Sequence, residues 1–306
     1  MDPADILSRI SSEDTVHIET GIFSAQEQEI IIRMLGSGYK RIRITMHDPP
    51  LFRYPSAHTH GFLSTTVVKL LDRYLGGQRK FSSALEKLEC IYVLSNRGKD
   101  VMQQCYRVDN IRVIPHVVPE PARPGPAMPG QPDFIYIGFL GKNKGLEYAI
   151  DLHARLQTTY PGSKFRVVGT ALGASGSYTR SLLRRSHAHV EFLGYVTDDQ
   201  LDDICRKSAF AFQPFRNYQG YVPVSGSILY CMQKGSLVLT RPVNAIPELI
   251  RDGYNGLFLS GNTVKDAERI TQVWTNQETY QHIRHNAYNH LADIHSPRAV
   301  RDHLLD

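Results

Sequence analysis

FIYIGFLGKNKGLEYAIDLHARL, residues 134–156, is the stretch that decides the fold. It opens as an unbroken apolar run, passes through Gly138, Gly141 and Gly145, and continues with Leu146, Ala149, Ile150, His153 and Leu156 spaced to fall on one side of a helix. A short apolar run followed by a glycine turn and a 3.6-residue period reads as a buried strand handing over to a crossover helix. Such a turn brings a helix N-terminus, with its unpaired N–H groups and positive dipole end, to the strand's carboxyl end, where a diphosphate can be held. Lys142 and Lys144 place cations in the same turn. The segment alone serves equally well as an ordinary strand-to-helix turn with two solvated lysines.

Working outward, the same alternation extends over the whole chain. Strands are expected at 16–19, 41–46, 90–95 and 111–115, then at 134–140, 164–169, 190–194, 210–215, 236–240 and 256–260. Helical patterns cover much of 25–35, 63–75 and 97–105 in the first half. Strands alternating with helices indicate parallel sheets, so the fold class is α/β. Between the halves, PHVVPEPARPGPAMPGQPD at 115–133 concentrates proline and glycine, which remove backbone donors and break both kinds of element. The expected organisation is a first domain at 1–120, a linker at 121–132 and a complete doubly wound domain at 133–294, with 295–306 returning to pack on the first.

The 306 residues are 42% hydrophobic and 21% charged, enough for two ordinary cores. A net charge of +5 is spread among acidic residues rather than gathered in a tract, which suits an anionic substrate or a peripheral membrane contact and gives no sign of nucleic acid. Cys90, Cys105, Cys205 and Cys231 form no CxxC pair, so neither zinc nor a disulfide framework is indicated, and a reducing cytoplasm is the simplest setting. The acidic start MDPADILSRISSEDTVHIE lacks the basic and apolar regions of a signal peptide, and no apolar run nears the ~20 residues of a membrane span.

The segments following residue 133 resemble, in order, those of glycosyltransferase family 4 and its group 1 relatives: the Gly138–Gly145 loop, then FRVVG, VEFLGYVTDDQL, FAFQPF, and SGSILYCMQKGSLVLTRPVNAIPELIRDGYNGLFL. The resemblance implies two Rossmann-like domains of the GT-B kind, the second binding a nucleotide-diphosphate sugar. By position, Lys144 matches a lysine that holds the diphosphate, while Phe139 stands where the family usually has an arginine. Family members commonly carry a glutamate, seven residues and a second glutamate before Lys234-Gly235. Here Tyr230 replaces the second, and Pro223, Val224 and Ser225 occupy the region of the first.

Ser225-Gly226-Ser227 precedes the helical pattern Ile228, Leu229, Met232, and a serine cap beside a glycine leaves helix N–H groups open to an anion. A divergent branch of the family uses a similar turn to face the diphosphate. Further donor-side candidates are Gly169, in the small-residue loop 167–178, together with Arg216 and Tyr218 after FAFQPF. Tyr195 after Gly194 either lies against a nucleobase or packs, and Arg216 is either a donor ligand or a solvated cation. Asn244 to Gly256 reads as architectural, with Glu248 either buttressing the site or starting a helix behind Pro247. Asp198-Asp199 and Asp202-Asp203 read as exposed helix-start carboxylates.

In the first half, RIRITM ends in His47-Asp48-Pro49-Pro50, where the prolines stop both strand and helix and present His47 and Asp48 on a stiff turn. The resemblance implies that this histidine faces the donor sugar and the acceptor. His17 and Glu19, on the preceding strand, are weaker candidates, and Ser95 and Asn96 read as a helix cap. The first half is also expected to be shortened, beginning beyond the strand and glycine loop with which relatives open.

Together these features lead us to expect transfer of a sugar from a nucleotide-diphosphate donor to a saccharide or lipid-linked acceptor, with retention, in polysaccharide or glycoconjugate assembly. The location would be the cytoplasm or the inner membrane face. No cofactor and no metal are called for. Two other readings stay open: a nucleotide-sugar epimerase on the same fold, and a catalytically silent binding or scaffold subunit.

Overall fold

A computed structural model describes residues 9–21, 25–49, 77–121, 123–125, 130–171, 176–217 and 222–305. By compactness the chain divides into one unit of Met1–Pro115 with Tyr218–Val224 and a second of His116–Asn217 with Ser225–Asp306. Residues 295–306 therefore count with the second unit, as does the proline-rich stretch from His116.

The first unit carries a parallel sheet in the order β1 (Val16–Thr20), β2 (Ile42–Met46), β3 (Cys90–Val93), β4 (Ile111–Val113). Its described helices are α1 (Ala25–Gly36), α2 (Gly77–Leu85) and α3 (Asn96–Tyr106). Ile42, Ile44, Ile91 and Val93 from the sheet pack with Ile31 and Met34 of α1 and Met102 of α3. Of the two central strands, β3 reads as an unbroken apolar run, CIYV, while β2 keeps Arg43 and Thr45 among its buried apolar residues. Ser95 caps α3, accepting the Gly98 amide at 3.0 Å. The helix expected at 63–75 lies outside the described residues.

The second unit has six parallel strands: β5 (Phe134–Ile137), β6 (Phe165–Val168), β7 (Val190–Gly194), β8 (Phe210–Gln213), β9 (Leu237–Thr240) and β10 (Leu257–Phe258). Their order is β10-β9-β8-β5-β6-β7. Interleaved are α4 (Leu146–Leu156), α5 (Gly176–Arg185), α6 (Asp198–Lys207), α7 (Gly226–Gln233) and the single turn α8 (Ile246–Leu249), followed by α9 (Thr263–Thr275), α10 (Gln277–His290) and α11 (Pro297–Leu305). The five α4 residues expected on one face are all buried. Phe134 stacks on both Phe210 and Phe212, with centroids 5.4 and 4.8 Å apart, and this aromatic seam fixes β5 against β8. Truncating Phe134 would cost about 3–5 kcal/mol.

The chain leaving β4 is held to the second unit by backbone and side-chain bonds. Val118 donates to His295 O at 2.9 Å, and Gln233 donates to Pro119 O at the same distance.

Candidate functional site

In the second sheet the strand order reverses between β5 and β8: β6 and β7 extend one way from β5, and β8, β9 and β10 extend the other. The connections leaving the carboxyl ends of two such strands diverge and open a crevice, the usual ligand position in an open α/β sheet. Here the two connections are the loop Gly138–Gly145 after β5 and the segment Pro214–Asn217 after β8.

These two segments touch directly. The Arg216 amide donates to Asn143 O at 2.8 Å, and the Lys144 ammonium sits 4.6 Å from the centroid of the Phe215 ring. Gly145 has φ +68°, and a Cβ there would lie 2.1 Å from Pro214 O, so both backbone conformation and close approach demand glycine. The same argument applies one strand over, where a Cβ on Gly169, at φ +130°, would lie 2.1 Å from Gly138 O. Lys142 and Lys144 form a 3-10 turn capped by Gly141 and ending at Gly145, which is also the N-cap of α4. The Arg216 guanidinium reaches Glu147 in the first turn of α4, at 3.5 Å.

α7 is tied to the same edge. Its N-cap is Ser225, whose hydroxyl accepts the Ile228 amide at 3.4 Å and lies 3.0 Å from the Ser227 hydroxyl. Ser227 donates to the Gln213 side-chain oxygen at 3.1 Å, and Gln213 Nε2 donates to Ile137 O, also at 3.1 Å. The fully buried Gln213 thus joins the start of α7 to the residue preceding Gly138. Thr240 at the end of β9 completes the arrangement, its hydroxyl donating to Gln213 O at 2.7 Å. Ser225 takes the Ile228 amide, and the Gly226 and Ser227 amides ahead of it, with Lys144, are donors suited to phosphate oxygens.

Gln213 was not singled out from the sequence. The available signal was a lone amide at the end of an otherwise apolar strand, FAFQ; a buried amide must find partners.

In the first unit His47 follows β2, and its amide donates to Thr20 O at 2.9 Å, which keeps the strand pairing through the start of the turn. The His47 Nε2 lies 2.6 Å from the Glu19 carboxylate. Glu19 also faces His17 at 3.2 Å, and His17 in turn meets the Thr45 hydroxyl at 2.7 Å and stacks on Tyr92. The hydrogen bond from Glu19 raises the His47 pKa above its ordinary value; burial opposes this, and the charges of Glu19 and Asp48 add to it. Burial raises Glu19, but the bond and charge of His47, with His17 and Thr45, outweigh it and leave the carboxyl lowered. Both shifts favour a His47 that bonds Glu19 as a charged pair. Asp48 lies beside it in the same turn, and the Val222 amide donates to Pro49 O at 2.8 Å. The sequence ranked Glu19 below His47; the structure makes it His47's partner.

Other candidates lie elsewhere. Tyr195 is 89% exposed, which excludes simple packing, and Phe139 is 52% exposed. Tyr218 lies outside the described residues. The Tyr230 hydroxyl donates to Asp202 of α6, away from the group around Gln213, and Asp202 also receives Lys234 at 2.6 Å. These bonds, Lys234's first and Tyr230's next, hold the Asp202 pKa low, so the reading of Asp202 as a solvated carboxylate gives way to a half-buried ion pair. Asp198, Asp199 and Asp203 are exposed as expected. Glu248 lies in α8 behind Pro247, while Asn255 pins the following turn through Leu249 O and the Arg251 amide, an architectural use.

The sequence model of the family described as glycosyl transferases group 1 matches residues 121–290. An uncharacterized glycosyltransferase of Methanocaldococcus jannaschii is 24% identical over 153 residues, which is 50% of this chain and 41% of that protein. The match thus spans less than half of that relative's length. Among solved structures, Anabaena HepE in complex with UDP aligns over 99% of this chain and 80% of its own, at TM-score 0.73 and 14% identity. Sucrose-phosphate synthase of Thermosynechococcus elongatus aligns over 94% of this chain and 71% of its own, at TM-score 0.71 and 14% identity. The shared fold is α/β, with the Rossmann-like sheets of the GT-B glycosyltransferases.

Proposed function

The chain belongs to the group 1 glycosyl transferases, and from that membership we propose that it moves a sugar from a nucleotide-diphosphate donor to a hydroxyl of a saccharide or lipid-linked acceptor. The reading has the anomeric configuration retained and the product used in polysaccharide or glycoconjugate assembly. The sugar's bond to the diphosphate oxygen breaks, a bond to the acceptor oxygen forms, and the acceptor's proton is released. Negative charge grows on the departing diphosphate. The observation that carries the reading is the Ser227–Gln213–Ile137 connection, which fixes the open end of α7 beside the Gly138–Gly145 loop at the strand-order reversal.

In this reading Lys144, the exposed Lys142 and the first amides of α7 stabilise that charge by preorganised electrostatics. Arg216 and Tyr195 line the donor's approach, and His47, held by Glu19, serves the acceptor side with Asp48. Metal is not needed, because cationic side chains and helix N–H groups supply the positive charge. UDP is the first nucleotide to try, since HepE has been solved with UDP and with UDP-glucose.

The test is a thermal-shift panel of nucleoside diphosphates, followed by donor turnover with the responding nucleotide sugar. A ligand that binds only the folded state raises Tm by mass action. Binding followed by sugar transfer supports the proposal. Binding without transfer or hydrolysis points to the silent binding subunit, and interconversion of free donor sugars points to the epimerase.

A further inference from the structure

At the opposite edge of the second sheet from the donor loops, the described residues surround a cavity of about 280 Å³. Glu120, Arg123, Arg206, Gln233, Lys234 and Arg284 line it. The location follows from topology. β5, β8 and β9 are parallel, Gly138 and Pro214 follow carboxyl ends, and Lys234-Gly235 precede the amino end of β9. α7 spans the two edges, with Ser225 at one end and Lys234 at the other, roughly 14 Å apart at 1.5 Å per residue.

The cations are of two kinds. Arg284 is part of the wall: its Nε donates to Gly235 O at 2.7 Å and its Nη1 to Gly125 O at 2.9 Å, which fixes the guanidinium. Lys234 is half-buried, bonded to Asp202 and lying over the Tyr230 ring at 5.2 Å. Arg206 is 59% exposed and only 3.6 Å from the same Asp202, and Arg123 approaches from the linker over Tyr288 at 6.0 Å.

A bland explanation is available for part of this. The last carbonyls of α7 carry a partial negative charge, and a cation or two at that end is ordinary. Four cations exceed it. Set against the carboxylates of Glu120 and Asp202, they leave an excess of two positive charges around one concavity. Two negative charges on one compact group is the signature of a phosphomonoester, which carries about −1.5 to −2 at neutral pH. Guanidinium groups match phosphate oxygens in fork geometry. At about 280 Å³ the cavity lies at the small end of ligand sites, room suited to a single phosphate group.

We propose that the Arg123–Arg206–Lys234–Arg284 cavity is a second anion site, distinct from the donor loops, that binds a terminal phosphate group, either free or as the headgroup of an anionic lipid. The proposal stands apart from the transferase reading. Nothing in it requires donor binding.

The test uses the full chain and the double variant Arg123→Gln, Arg206→Gln, whose side chains are exposed and carry little of the packing. Lys144→Ala serves as the control on the donor loops. The probes are inorganic phosphate, followed by equilibrium dialysis, and vesicles of phosphatidylcholine with or without phosphatidic acid, followed by flotation. The double variant is expected to lose at least about tenfold in affinity for one of the two phosphate sources, with an unchanged Tm, while Lys144→Ala retains that affinity. Loss confined to free phosphate identifies a soluble ligand, and loss confined to phosphatidic acid vesicles identifies a lipid headgroup. A charge-keeping Arg123→Lys, Arg206→Lys variant should recover most of the binding. The proposal is overturned if the wild-type chain binds neither probe, if the glutamine variant binds both as tightly as wild type, or if only Lys144→Ala abolishes binding.

Discussion

The Ser227 hydroxyl donates to the Gln213 side chain at 3.1 Å, and through that amide the first turn of α7 is bonded to Ile137 O, one residue before the glycine loop. A serine and a glutamine at the ends of different elements therefore share one buried hydrogen-bond chain. Replacing Gln213 with Leu removes both bonds and leaves Ile137 O and the Ser227 hydroxyl without that partner. A stability loss of about 1–3 kcal/mol is expected from urea unfolding. If the chain positions the anion-binding amides, nucleotide diphosphate affinity falls as well, measured well below the unfolding midpoint. Loss of stability with unchanged affinity would reduce Gln213 to a packing role.

Lys144→Ala should lower donor-dependent turnover by about two to three orders of magnitude, the usual consequence of losing one preorganised charge-stabilising group. The lysine leans on Phe215 and is partly exposed, so Tm should change little. Wild-type turnover in the folded variant would remove Lys144 from the site.

Gly145→Ala tests the contact between the two loops. A residue with a Cβ at φ +68° is strained by about 1–2 kcal/mol, and the clash with Pro214 O adds to that. The variant should melt lower than wild type and bind nucleotide more weakly, because its strain relaxes only by separating the loops. An unchanged Tm and affinity would mean that the approach of Gly145 to Pro214 is dispensable.

Chelation is expected to leave turnover unaltered, since the proposed charge stabilisation rests on Lys142, Lys144 and the α7 amides. Assays with and without EDTA decide it. Activity that vanishes with EDTA and returns with added divalent cation would show that these groups do not suffice.

Much of the architecture was legible because short strands rich in apolar and β-branched residues alternate with helical periods. All ten expected strand positions carry strands, the shortest being Leu257–Phe258. The start of α7 was legible for a local reason: Ser225 both precedes the periodic residues and caps them. What escaped reading depends on distance along the chain. Gln213 meets Ile137 76 positions away, and Glu19 meets His47 across 28, a pairing set by the β1–β2 register that aligns Thr20 with Met46. Tyr230 stands in sequence where relatives have their second glutamate, and its partner, Asp202 on a neighbouring helix, is set by a long-range contact that position in the chain does not reveal. Asp202 itself looked solvated because its cation, Lys234, is 32 residues away.

The last prediction concerns His47 and Glu19. The folded pKa of His47 lies above its ordinary 6.5, so the pair's contribution is full below about 6.5 and is lost as pH rises through the folded value. Glu19 lies below its ordinary 4.5, so its contribution is present above 4.5 and is lost as pH falls through the folded value. The pair is thus strongest between those limits. Side-chain exposures of 39% and 60% mean that solvent screens it, so the pH effect on global stability should be small. The informative readout is local: Glu19→Gln should lower the His47 titration midpoint seen by NMR. His47→Ala should cut transfer while leaving nucleotide affinity and Tm close to wild type, because the proposed diphosphate ligands belong to the second unit. If His47 were mainly a packing residue, Tm would fall and transfer per folded molecule would not. Normal transfer by a stable His47→Ala chain would eliminate the acceptor-side role, and an unshifted midpoint in Glu19→Gln would eliminate the pairing that supports it.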